Sequence, residues 1–137
     1  MQEYYFRCKQ ILKEILPTQG FTTEAENSAG LGRSIRFTKD DIQIMWLYDL
    51  RDQLLVLQME KEKKVVERRY FYGVEKLQSG FLSKLEEMLR TLGLEIPEQN
   101  RRLAMDDIAS FPTRKAKKTK KVQKGCLARF FGGKSSR

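Results

Sequence analysis

Residues 34–59 constrain the fold more than any other part of this chain. Ile35 and Phe37 alternate with polar neighbours, and Ile42, Ile44, Trp46 and Tyr48 resume the alternation after Lys39, Asp40 and Asp41. A period of two sets alternate side chains on one face of a strand, and short Asp-rich breaks are turn chemistry. A second break at 49–52 precedes a third apolar stretch at 53–59. The pattern predicts an antiparallel meander with strands at 34–38, 42–48 and 53–59. Met45 and Leu47 make the other face of the middle strand apolar as well, as expected of a central strand. With the Trp46 face turned to the core, Met45, Leu47, Leu55 or Leu57 are expected on the opposite side, as an apolar patch suited to a protein partner.

Residues 60–64 form a charged break. A fourth strand is indicated by Val65 and Val66 with Tyr70, Phe71 and Tyr72, although Glu67, Arg68 and Arg69 interrupt its pattern. The sheet is therefore expected to hold three or four strands.

Helical spacing flanks the meander. Tyr4, Cys8, Ile11, Leu12, Ile15 and Leu16 recur at intervals of three and four, which predicts a helix over 4–16 that ends at Pro17. Residues 17–34 read as a polar connector bearing Gly20, Gly30 and Gly32. Leu77, Phe81, Leu85, Met88 and Leu92 mark a second helix, widened by Leu82 and Leu89. Gly93 suits the position after it, with Leu94 packing back on Leu89 as in a Schellman cap. The fold class is thus α+β, with both helices on one sheet face. Residues 1–97 are read as the domain. Residues 98–112 are read as a linker or a short helix using Leu103, Met105 and Ile108.

Charge divides the chain sharply. Its formal charge is +9 over 137 residues, yet residues 1–112 hold 17 of the 27 basic residues and all 18 acidic ones, a net of −1. Residues 113–137 carry the other ten cations and no acid: Arg114, Lys115, Lys117, Lys118, Lys120, Lys121, Lys124, Arg129, Lys134 and Arg137. Such a block repels itself and buries little apolar surface, so a disordered polybasic tail is expected. Ten cations suit non-specific, salt-sensitive binding to DNA or RNA by counterion release. Phe130 and Phe131, beside Arg129, suit stacking on unpaired bases. Cationic residues leading into the Cys126–Phe131 stretch also fit an anionic membrane surface.

Several chemistries are excluded by what is missing. There is no histidine, which removes Ser-His-Asp, Cys-His and His-metal mechanisms. Two distant cysteines are a poor disulfide framework, which points to a reducing, cytoplasmic setting. No apolar run approaches the ~18–20 residues that span a bilayer, and charges within the first 16 residues argue against a signal peptide. Cys8 lies on the apolar stripe of the first helix and reads as a small buried hydrophobe. Cys126, among the tail cations, reads as an activated thiol. Gly30 and Gly32 lack the further glycine or Gly-Lys-Ser/Thr of a phosphate loop and read as a turn. No cofactor, metal or small-molecule ligand is indicated.

Carboxylates and lysine remain as catalytic groups. Asp41 opens the second strand while Glu62 and Lys64 follow the third, and antiparallel pairing sets those ends side by side. Asp41, Glu62 and Lys64 resemble the Asp…(Asp/Glu)-x-Lys pattern of the PD-(D/E)xK nuclease superfamily. That resemblance implies acids holding a divalent ion and a lysine assisting water in phosphodiester hydrolysis. No proline precedes Asp41, and Glu62 lies in a charged run. In the order of its elements the domain also resembles small bacterial toxin-immunity proteins, which implies a partner-blocking role. The reading preferred on the residues is a non-enzymatic interaction domain that binds a protein partner or itself, with a tail that contacts nucleic acid.

Overall fold

The computed structural model describes residues 2–28, 30 and 32–112; the expected tail, 113–137, lies outside them. The apolar stripe of the N-terminal segment winds into helix α1, Gln2–Ile15, and buries Tyr5, Cys8, Ile11, Leu12 and Ile15. Pro17 does not simply stop the chain. It sits in the first turn of a 3-10 segment, Leu16–Gln19, where its missing N–H costs nothing, and Gly20 closes that turn at φ 92°.

Five antiparallel strands follow in sequence order: β1, Thr22–Thr23; β2, Gly32–Lys39; β3, Ile42–Asp49; β4, Leu54–Lys61; and β5, Lys64–Phe71. The expected meander is present with one strand more than the highest expected count. The extra one is β1, two residues of the polar connector paired to Thr38 and Phe37. Glu67, Arg68 and Arg69 do not break the fourth predicted strand, because it is the sheet's last and only one of its edges needs a partner. A bulge opposite Met59 and Glu60 absorbs its change of phase.

One sheet face carries the core. Ile35 and Phe37 of β2, Ile44, Trp46 and Tyr48 of β3, Leu55, Leu57 and Met59 of β4, and Phe71 of β5 are buried with the helices. Helix α2, Val74–Thr91, lays Leu77, Phe81, Leu85, Met88 and Leu89 on that face. Gly80 gives the close approach to β5: a β-carbon there would lie 3.1 Å from an Arg69 guanidinium nitrogen and 3.4 Å from the Phe71 ring. The helix ends in the expected Schellman cap. The Leu94 N–H reaches the Leu89 carbonyl at 2.8 Å, the Gly93 N–H reaches that of Arg90 at 2.9 Å, and Gly93 has φ 76°.

Residues Glu98–Ala109 form a third helix, α3. Its inward residues are Ala104 and Ile108, followed by buried Phe111. Leu103 and Met105, expected on the inner stripe, are 59% and 46% exposed. The helix turns that way because polar contacts set its rotation. Arg7 of α1 holds Asp107 at 2.6 Å, the Gln78 amide of α2 donates to the Ile108 carbonyl at 2.9 Å, and the Tyr4 hydroxyl donates to the Pro112 carbonyl at 2.6 Å.

A second correction concerns β4. Leu55 and Leu57 do not lie on the outer sheet face. Antiparallel register sets Leu55 opposite Tyr48 and Leu57 opposite Trp46, and directly opposed residues share a face. Both are fully buried in the core.

Candidate functional site: the open face of the sheet

The three helices of the described residues pack on one side, so among those residues the other face of the sheet has no helical cover. Its rows follow from the register. Ser34, Leu47, Val56 and Tyr70 lie in one line across β2 to β5, and Arg36, Met45, Gln58 and Arg68 in the next. The first line continues into Leu54 at the end of β4. Leu47, Leu54, Val56 and Tyr70 line a shallow concavity of about 440 Å³, rimmed by Asn27, Asp49 and Arg51. Gly32 forms part of its wall and begins β2; a β-carbon at that position would collide with the Tyr48 carbonyl oxygen. Close packing thus accounts for the second glycine of the Gly30–Gly32 pair, and Gly30 takes φ 75° in the turn before it.

The neighbouring row is a laced polar strip. The Arg68 Nε donates to Gln58 Oε1 at 2.7 Å, the Arg68 guanidinium donates to the Tyr70 hydroxyl at 3.2 Å, and the Gln58 amide donates to Glu60 at 2.8 Å. Gln58 is only 9% exposed, so these bonds offset the cost of covering its amide. Exposed apolar residues stand at both ends of β5: Val65 and Val66 near its start, and Tyr70 and Tyr72 at and just past its end, with Tyr72 70% exposed and stacked on Tyr70 at 6.3 Å. Of the patch expected from sequence, Met45 and Leu47 lie on this face; Val56 and Tyr70 were missed. The run of four apolar residues at 54–57 hides which of them face outward.

A second group of charges lies elsewhere and holds the connector. The Lys9 ammonium meets Glu26 at 2.9 Å and sits 4.6 Å over the Phe6 ring, with the Arg33 guanidinium 4.9 Å over the same ring. Burial pushes the Glu26 carboxyl up, but the hydrogen bond from Lys9, the neighbouring Tyr5 hydroxyl and the charges of Lys9 and Arg33 outweigh it and hold it below its ordinary value. Burial, then Glu26, pushes the Tyr5 phenol well up, so it stays protonated. Cys8 is buried as expected, and burial raises its thiol far from reactivity. The Glu67 carboxylate takes Lys84 of α2 at 2.6 Å, which raises the lysine's pKa and ties β5 to that helix.

Asp41 and Glu62 come together along the backbone, while Lys64 opens β5 one strand further out, opposite Lys61. The Glu62 N–H donates to the Asp41 carbonyl at 3.0 Å. Their side chains are exposed at the ends of two hairpins, and Glu62 and Lys63 form the turn with φ 52° and 67°. Among the described residues no group of three or more acidic or cysteine side chains stands close enough to hold a metal ion. No helix among them is long and apolar enough to cross a membrane. The tail candidates Arg114, Lys115, Lys117, Lys118, Lys120, Lys121, Lys124, Arg129, Phe130 and Phe131 lie outside the described residues.

No family model, curated protein or solved structure matches this chain.

Proposed function

We propose that this is an interaction protein: its α+β domain binds a polypeptide on the open face of the sheet, and its cationic tail holds the assembly on nucleic acid. The observation that carries the first half is the contiguous apolar lining of Leu47, Leu54, Val56 and Tyr70 on a face without helical cover among the described residues, with exposed Tyr72 stacked on Tyr70 beside it. Exposed apolar groups scattered singly need no explanation, whereas a contiguous set beside a concavity is a contact surface. The second half rests on composition, since ten cations without an acid in 113–137 answer a polyphosphate.

Two lesions in the full chain separate the halves. Glutamine at Lys115, Lys117, Lys118, Lys120 and Lys121 lowers the salt slope of duplex binding in a shift assay by about four to five, because each phosphate that a lysine neutralises contributes ~0.9 to the slope. Leu47→Lys leaves that slope unchanged and strips bound polypeptide from the purified protein, read by native mass spectrometry. An unchanged slope overturns the role of the tail; retention of every bound polypeptide by Leu47→Lys overturns that of the face.

A further inference from the structure

We propose that residues 126–131 of this same chain lie in the concavity of the open face and cover it until a partner displaces them. This rests on the reading above, that the face takes a polypeptide, and adds how the face is regulated.

The described residues finish at the end of the sheet that bears the concavity. Phe111 and Pro112 are held between the starts of two helices: the Tyr4 hydroxyl of α1 donates to the Pro112 carbonyl at 2.6 Å, and the Gln78 amide of α2 donates to that of Phe111 at 3.4 Å. The Tyr5 ring of α1 stands 6.1 Å from that of Tyr48, whose residue forms part of the concavity wall. Helix α2 begins at Val74, just after β5 ends at Phe71, and Tyr70 beside that end lies in the floor. The chain therefore leaves the domain on the helix side with one margin of the sheet to pass. Leu127 follows Pro112 by fifteen residues. Such a length reaches up to ~50 Å, against a radius of gyration of ~13 Å for a domain of this size.

Composition selects the segment. Five of the six residues at 126–131 are apolar and Arg129 is their single charge, whereas seven cations precede them in 113–125. The concavity, about 440 Å³, has a floor of Leu47, Leu54, Val56 and Tyr70. Its size is that of sites for compact organic groups, ~300–1,000 Å³. Phe130 and Phe131 bring rings to Tyr70 and to Tyr72 stacked on it, and aromatic pairs add to what their buried area contributes. Charges at the rim cancel, Arg33 and Arg51 against Asp49 and, in the adjoining turn, Asp52. A segment with one cation enters there without repulsion, and a run of seven finds no excess of acid to answer it.

Tethering favours this occupant over a free one. A linked segment meets its site at an effective concentration in the mM range, so contacts too weak to hold a free peptide still cover the face. Rings seated in the concavity are withheld from unpaired bases, while the cations before them remain available to phosphates. A partner that displaces the segment then strengthens contact with single strands, and by linkage single strands strengthen binding of the partner.

The test uses the full chain, in which Cys126 is a native thiol within the segment and Cys8 is buried. Ser34→Cys sets a second thiol on the concavity; Glu75→Cys sets one on the first turn of α2, a turn away from the Gln78 that holds Phe111. Without docking, the site nearer the start of the tail closes its loop to Cys126 at least as fast. With docking, mild oxidation forms the intrachain disulfide in Ser34→Cys about tenfold faster than in Glu75→Cys, read by intact mass, because seating raises the effective concentration. Phe130→Glu with Phe131→Glu then removes that preference. Closure in Glu75→Cys as fast as in Ser34→Cys, a preference that survives the two glutamates, or disulfides formed only between chains overturns the proposal. If it is overturned while Leu47→Lys still strips a bound polypeptide, the tail contact alone falls and the open-face reading stands.

Discussion

The indole N–H of Trp46 donates to the backbone carbonyl of Tyr5 at 3.0 Å, across 41 residues of sequence. Through this bond the centre of the sheet fixes where α1 lies. The Trp46 ring also stacks parallel to Tyr5 at 6.2 Å and meets the Phe81 ring edge-on at 5.0 Å, so one fully buried side chain joins β3 to both α1 and α2.

Trp46→Phe is expected to keep the fold and lower its stability by about 2–4 kcal/mol, through the lost hydrogen bond and the space left by the smaller ring. Urea unfolding checks this. A loss under about 1 kcal/mol would mean that the core relaxes to fill the gap.

The turn from β4 to β5 offers a gain. Glu62 and Lys63 both hold positive φ, which costs residues with a β-carbon, whereas Asn-Gly suits a two-residue hairpin turn. Glu62→Asn with Lys63→Gly is expected to add about 1 kcal/mol, read as a higher midpoint of thermal unfolding. The same substitution removes a carboxylate that the nuclease resemblance requires, so loss of a divalent-cation-dependent activity on its introduction would favour that resemblance over the interaction reading.

Acid should loosen the connector. The folded pKa of Glu26 is depressed. Its contribution to stability is therefore complete above the unfolded value, near 4.5, and is lost as pH falls through the folded one. Glu26→Gln is expected to be less stable than the parent at neutral pH and to show a shallower fall between about pH 5 and 3. Parallel curves for the two proteins would show that Lys9 and Tyr5 do not favour the charged carboxylate.

Local patterns carried much of this fold. Alternation at 34–48 and the helical stripes ending at Pro17 and Gly93 concern residues close in sequence, and the Leu94–Leu89 cap followed from one glycine. Where the expectations missed, a distant partner decided. Leu54, Leu55, Val56 and Leu57 are all apolar, so only pairing with β3 shows that Leu55 and Leu57 turn inward while Val56 turns out. Leu103 and Met105 are exposed because Arg7 and Gln78 set the rotation of α3. Thr22 and Thr23 become a strand only through β2. The candidate site was legible in part for the same reason: Met45 and Leu47 stood out by alternation, whereas Tyr70 belongs to an edge strand whose charges mask its period.

The most direct test of the open face uses a photoreactive benzoyl-phenylalanine at Tyr72 and, separately, at Leu103, two exposed positions of which the first lies against Tyr70 and the second on α3. Irradiated in cells, the full chain is expected to form discrete polypeptide adducts from Tyr72 and few or none from Leu103. Adducts from Leu103 alone, or equal smears from both positions, would contradict a binding surface on the sheet.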